Sequence, residues 1–263
     1  MDASPWVAMS AMQKTIRRGR EDLALSAAAT LLRDAPEKLW RRIGCIAYED
    51  VGLAALDTIG IAAVSLGGKQ ARAALGGEWA VASCVVAELS RAPKCRAADD
   101  LLMACELHPA YAKARAELPY LTTRDLTNVA TGHGSIQERA LALWYALGTG
   151  GHPSSLVSRR GEQQLVFDRL REAGWLHSIV AVAREGFRRT RAMLCPLVAL
   201  LSCEQSEAIQ LESDELPPEE MIDDNSLPRH ALGSQTDVER VGFGGISDSA
   251  RSECQSISAR RAW

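Results

Sequence analysis

Aromatic residues are scarce in this chain, with Phe, Trp and Tyr making up only 5%. No sustained run of alternating Val, Ile, Thr and Tyr reads as a half-buried strand, which excludes a β-sandwich or barrel. Nor is there a run of about eighteen apolar residues, the length a bilayer demands. The opening "MDASPWVAMSAMQK" lacks the basic start and apolar core of a secretory leader. A soluble, cytoplasmic protein without membrane contact is therefore expected. The seven cysteines are odd in number and sit mostly inside apolar helical patterns, which fits reduced thiols and argues against a disulfide framework.

Motifs that carry chemistry are missing too. A phosphate loop ending at "GGK" (67–69) would need glycine at position 63 and Ser or Thr at position 70, where Ala63 and Gln70 stand. "GFGGI" at 242–246 neither follows a predicted strand nor opens a helix, so dinucleotide binding is not indicated. Cys84, Cys95, Cys105 and His108 are zinc-type ligands without a C-x2-C knuckle, and core packing accounts for such cysteines more simply. His133 in "TGHGS" has no nucleophile or acid that the sequence places beside it. No enzyme activity, cofactor or metal is expected.

What the chain does have is alanine, leucine and helical periodicity. The spacing predicts helices over about 6–18, 21–33, 36–50, 53–66, 70–91 and 96–107, punctuated by Gly19, Gly52 and the Gly67-Gly68 pair. Asp34 and Glu37, with Pro36 in the first turn, form a capping-box-like start for the third. The segment 117–134 reads as a polar, turn-rich stretch, after which Ser135 and Glu138 provide a capping box for a second helical group. Further helices are expected over about 161–174 and 175–201, the last carrying the basic run "REGFRRTR". The fold class is all-α, a multi-helix bundle or array. The expected division is a helical domain over 1–116, a second helical subdomain over 117–203, and a tail over 204–263.

The net charge of −3 conceals a split. Residues 1–203 carry 25 Lys and Arg against 20 Asp and Glu, whereas residues 204–263 carry 5 against 13. Within the tail, residues 204–224 hold nine acids and no base. So little apolar surface cannot offset the entropy of ordering, and a disordered acidic tail is expected. In the body, Lys14, Arg17, Arg18 and Arg20, then Lys38, Arg41 and Arg42, and later Arg91, Lys94 and Arg96 lie near successive helix ends. Of these, Lys14, Arg17, Arg18, Arg41, Arg42 and Lys94 are the candidate phosphate contacts, because clustered cations neutralise a nucleic-acid backbone independently of its sequence. A solvated basic face explains them equally well. Glu49 and Asp50 are adjacent on a helix and point about 100° apart, which suits a helix-end role better than a catalytic acid/base pair.

The order of these pieces carries a resemblance. "SAMQKTIRRGREDLALSAAATLLRDAPEKLWRRIGCIAYEDVGL" (10–53) and "LSRAPKC" (89–95) resemble the helical C-terminal part of the clamp-loader-like AAA+ ATPases called replication-associated recombination protein A, MgsA or, in eukaryotes, Werner-interacting protein. The matching residues include Ser10, Lys14, Arg17, Ala24, Leu25, Leu31, Leu32, Arg41, Arg42, Ile46, Ala47, Glu49, Asp50, Gly52, Leu53, Ala92, Pro93 and Lys94. The likeness covers about residues 10–110 and makes 1–116 clamp-loader-like. Cys95-Arg96 stands where the family has Ser-Asn, the ATPase that lies upstream in the family has no counterpart in this sequence, and the chain beyond about residue 117 has none in the family. The resemblance implies a part that holds subunits together beside DNA. The leading expectation is thus a non-enzymatic oligomerisation and DNA-docking module, a homo-oligomer with DNA and an AAA+ ATPase as partners. The alternatives are a protein-protein adaptor that leaves nucleic acid alone, and an enzyme with an unrecognised site.

Overall fold

The computed structural model describes residues 4–148 and 162–204. All of these belong to one contact-defined unit. The expectation of a disordered tail, together with Cys254 and the 242–246 glycines, lies outside the described residues.

Among the described residues the regular structure is helical throughout. The first group comprises α1 (Pro5–Arg17), α2 (Glu21–Asp34), α3 (Pro36–Ile46), α4 (Leu56–Ser65), α5 (Lys69–Ala74), α6 (Glu78–Arg91), α7 (Ala97–Leu107) and the short α8 (Ala112–Glu117). The second comprises α9 (Thr123–Thr131), α10 (Ile136–Leu147), α11 (Gln163–Glu172), α12 (His177–Thr190) and α13 (Leu194–Glu204). Short connections leave sequential helices packed against one another, as in α1 with α2, α9 with α10 and α12 with α13.

Small side chains set the first layer. Ala24, Ala27, Ala28 and Leu31 of α2 recur at helical spacing and face Ala8, Ala11, Met12 and Ile16 of α1, all at 0–1% exposure. Alanine at the contact lets two helix axes approach closely while each larger neighbour fills the gap beside it. At the other extreme, α10 is buried on every side from Arg139 to Leu147, with Trp144 and Tyr145 among the largest fully enclosed side chains. A helix apolar all round belongs in a core. The apolar cluster runs without interruption from Ala8 to Leu201 and includes residues of both helical groups.

Several sequence expectations need correction. The expected helix over 70–91 is two, α5 and α6, because Gly76 and Gly77 both take φ +104. The stretch expected to be turns contains α9, capped by the Thr122 hydroxyl, which accepts from Asp125 N at 3.2 Å. The long helix over 175–201 breaks at Arg191, whose φ of 59 ends α12. Asp34 does not cap α3: the N-cap is Ala35, and the Asp34 carboxylate accepts from Arg33 Nε at 2.7 Å instead. The capping box at Ser135 and Glu138 is present as expected.

Candidate functional site

Between α3 and α4 the helix widens into a π turn, Ala47–Val51, followed by a single 3-10 turn at Gly52–Ala54. π turns of this kind are frequent at functional sites. Here the inserted turn places Tyr48, Glu49 and Asp50 against different elements. Tyr48 is buried and donates its hydroxyl to Val182 O of α12 at 2.8 Å. It lies so close that a Cβ at Gly186 would stand 2.2 Å from its oxygen. Burial drives the Tyr48 phenol far above its ordinary range.

Glu49 and Asp50 face α1 and α7. Asp50 has no exposed surface. Its Oδ1 accepts from Arg17 Nε at 2.7 Å and lies 3.9 Å from Arg96 Nε, while Oδ2 accepts from Gln13 Nε2 at 2.9 Å. The same Gln13 amide donates to Glu49 Oε1 at 2.9 Å, and Arg17 Nη2 stands 3.5 Å from that oxygen. Gln13 and Arg17 are four apart on α1 and so share a face. Arg42 closes the far side by donating to Gln13 Oε1, and Arg96 pairs with Asp99 one turn along α7. Despite being adjacent in the chain, both carboxylates converge on Gln13 and Arg17. They converge on protein groups, which satisfies a buried charge as physical chemistry requires.

The backbone completes the junction. Cys95 N donates to Asp50 O at 2.9 Å, which fastens the segment after α6 to the π turn. Gly52 has φ +49, and a Cβ there would lie 2.5 Å from Cys95 O. Only glycine tolerates both the left-handed backbone and the contact. Lys94 Nζ donates to Ser90 O at 3.1 Å and also to Ala92 O, capping the carbonyl end of α6. Burial pulls the Lys94 ammonium below its ordinary range, with Asp50 opposing. Burial, then the charges of Asp50 and Asp99, raise the Glu49 carboxyl above its ordinary range. For Arg96 burial works against the charge, but Asp99, Asp50 and Glu49 outweigh it and strengthen its hold on the proton.

Of the six residues expected to meet phosphate, Arg17 and Arg42 therefore turn into this network and Lys94 caps a helix. Arg18 reaches back to Lys14 O at 3.4 Å, and Lys14 is half-buried. Arg41 is exposed. The structure brings Arg17 and Arg42 together with the unexpected Gln13 and Arg96, and leaves Arg41 apart. In the sequence Gln13 carries no signal beyond its i, i+4 relation to Arg17, and Arg96 is one of several cations near helix ends.

A second polar knot secures α5. Arg72 lies 4.0 Å over the Trp40 ring and bonds Glu78 Oε1 at 3.0 Å and Ser65 O at 3.1 Å, while Trp40 Nε1 donates to Glu78 Oε2 at 2.7 Å. Cys84, Cys95, Cys105 and His108 do not assemble: Cys84 is exposed, and among the described residues no group of three His, Cys, Asp or Glu could hold a metal ion. Cys105 donates to Gln137 O at 3.4 Å, and burial pushes its thiol up to about 12. No helix among the described residues is long and apolar enough to cross a membrane.

Compared with known proteins, the chain matches no family model, no curated protein and no solved structure.

Proposed function

We propose that the protein is a non-enzymatic helical module that self-associates and docks on DNA or on a replication and recombination AAA+ ATPase. The observation that carries this reading is a set of large apolar side chains left in water in the first helical group. Ile61 and Val64 on α4, Leu75 after α5 and Trp79 at the start of α6 are 43–64% exposed. Exposed aliphatic and aromatic residues gathered within one short span are what an assembly interface is built from. The two stretches that resemble the clamp-loader-like family, 10–53 and 89–95, are joined at the Asp50 network, where Gln13, Arg17 and Cys95 all bond Asp50, which supports a shared framework. The cytoplasmic location expected from the sequence belongs to the same proposal.

A second reading, an adaptor for a protein partner that does not touch nucleic acid, is favoured by one observation. Arg17, Arg42 and Lys94 are engaged within the protein, so the surface left for phosphate on α1 and α3 is smaller than the sequence implied.

Sedimentation of the full chain, alone and with a short duplex, tests both. The proposal expects a dimer or larger species at about tens of micromolar, the range where modest interfaces form. Changing Trp79 and Val64 to Ser should dissolve it. A strict monomer would remove the assembly role, and assembly without any duplex binding at low salt would leave the protein-partner reading.

A further inference from the structure

On α12, His177, Ala181, Arg184 and Arg188 follow one another at i, i+4, i+7 and i+11, which aligns them on one face. The three charged or titratable members are exposed, and exposed Arg191 extends the line past the helix end. The opposite face, Val180, Ala183, Gly186, Phe187 and Thr190, is buried in the core. On the neighbouring α11, Arg171 shares a small cavity with His177, Ala181 and Arg184. Between residues 163 and 191 there are six arginines, and only Asp168, Glu172 and Glu185 oppose them. Those acids are already engaged: Asp168 with Arg171, Glu172 with Arg169, and Glu185 with both Arg188 and Arg189. Asp168 feels the Arg184 charge as a minor influence, and neither Arg184 nor Arg191 holds a carboxylate of its own among the described residues. The span 163–191 keeps an excess of three positive charges.

The chain supplies a matching polyanion next to it. The helix α13 runs back along α12, and its last turn, Ser202 and Cys203, shares a cleft of about 450 Å³ with Trp175, Leu176 and Ile179 at the start of α12. From there the sequence enters 204–224, with nine acids and no base. Twenty-one residues extend to at most about 70 Å, whereas the line from His177 to Arg191 spans only about 21 Å at helical rise. Reach is ample.

We propose that residues 204–224 dock on the α12 arginine line of their own chain, a tethered polyanion seated on Arg184, Arg188 and Arg191. Tethering sets the local concentration on the order of millimolar, so several weak guanidinium-carboxylate contacts hold the segment without a deep pocket. The inference does not depend on whether the protein assembles or docks on DNA.

Zero-length carboxyl-to-amine coupling of the full chain tests this directly. Arg184→Lys and Arg191→Lys place a reactive amine on the line with its charge kept, and exposed Lys38 and Lys69 serve as internal references. An equal mixture of isotopically heavy and light chains separates coupling within a chain from coupling between chains. The expected result is coupling of positions 184 and 191 to carboxyls of 204–224 within one chain, at least about five times the yield at Lys38 or Lys69. It should fall several-fold in about 1 M salt, where the screening length is about 3 Å. Equal yields at the reference lysines, or yields indifferent to salt, would overturn the proposal. So would coupling only between heavy and light chains, which would assign the line to a second copy. Absence of tail coupling together with protection of both amines by an added duplex would assign it to nucleic acid.

Discussion

Arginines in this protein do two different things. Arg17, Arg42 and Arg96 surround Gln13, Glu49 and Asp50 in a junction where α1, α3, the π turn and α7 meet, and Asp50 at its centre is sealed from water. Arg184, Arg188 and Arg191 line the outside of α12, where Glu185 is the near carboxylate. The first set is rich in acceptors and poor in solvent. The second is the reverse. Arg17 stands in the basic run "TIRRGR" and the second set in "REGFRRTR", so charge density along the sequence does not tell which will face a partner. What separates them is a buried carboxylate brought from elsewhere in the chain.

Removing the acceptor at the junction should have the largest effect. Asp50→Ala leaves Arg17 and Gln13 without their main partner in a dry site, and is expected to cost about 3–5 kcal/mol of unfolding free energy. Arg17→Ala, with a side chain 21% exposed, should cost less, about 2–3 kcal/mol, and denaturant unfolding at pH 7 checks both.

Glu49 sharpens the picture through pH. Its carboxyl is raised in the folded protein by burial first and by Asp50 and Asp99 next. A group whose folded pKa is raised contributes stability that is fully present below its unfolded value and lost as pH rises through the folded value. Wild type should therefore lose part of this contribution as pH climbs above about 4.5, the ordinary value for this group. Glu49→Gln should flatten that part of the melting-temperature profile, and an unchanged profile would remove Glu49 as its source.

On α12 the sign reverses. Arg191 ends the helix with φ 59, a left-handed conformation in which glycine carries no Cβ penalty. Arg191→Gly should stabilise the protein by about 0.5–1 kcal/mol. Arg184→Ala, on an exposed face, should move stability by less than about 0.5 kcal/mol either way. A large loss at either position would break the distinction between the two sets.

Much of the fold was legible in sequence because its signals are local. Leu39, Ile43 and Ile46 mark the buried face of α3, and Ser135 with Glu138 marks the start of α10. The π turn was not legible, since its geometry is fixed by groups distant in sequence: Tyr48 is held by Val182, and Asp50 by Gln13, Arg17 and Cys95. In α9 the Thr and Asn content suggested turns, yet the Thr127 hydroxyl folds back onto Thr123 O and Arg124 O while Leu126 and Ala130 enter the core. Tertiary burial outweighed local preference there. For the candidate site, the residues that cluster in sequence were visible, but their direction was not. Arg17 lies at a helix end, where either solvent or a neighbouring carboxylate can claim it.

The claim that Asp50 gathers the separate segments into one unit is tested most directly by a double-mutant cycle. Arg17→Ala, Asp50→Asn and the combination would be measured by chemical denaturation of the full chain. Direct partners in a buried network should couple by about 1.5–3 kcal/mol, so that the second substitution costs far less once the first is made. Losses that simply add, within about 0.5 kcal/mol, would show that the junction is a set of neighbours and not a cooperating network.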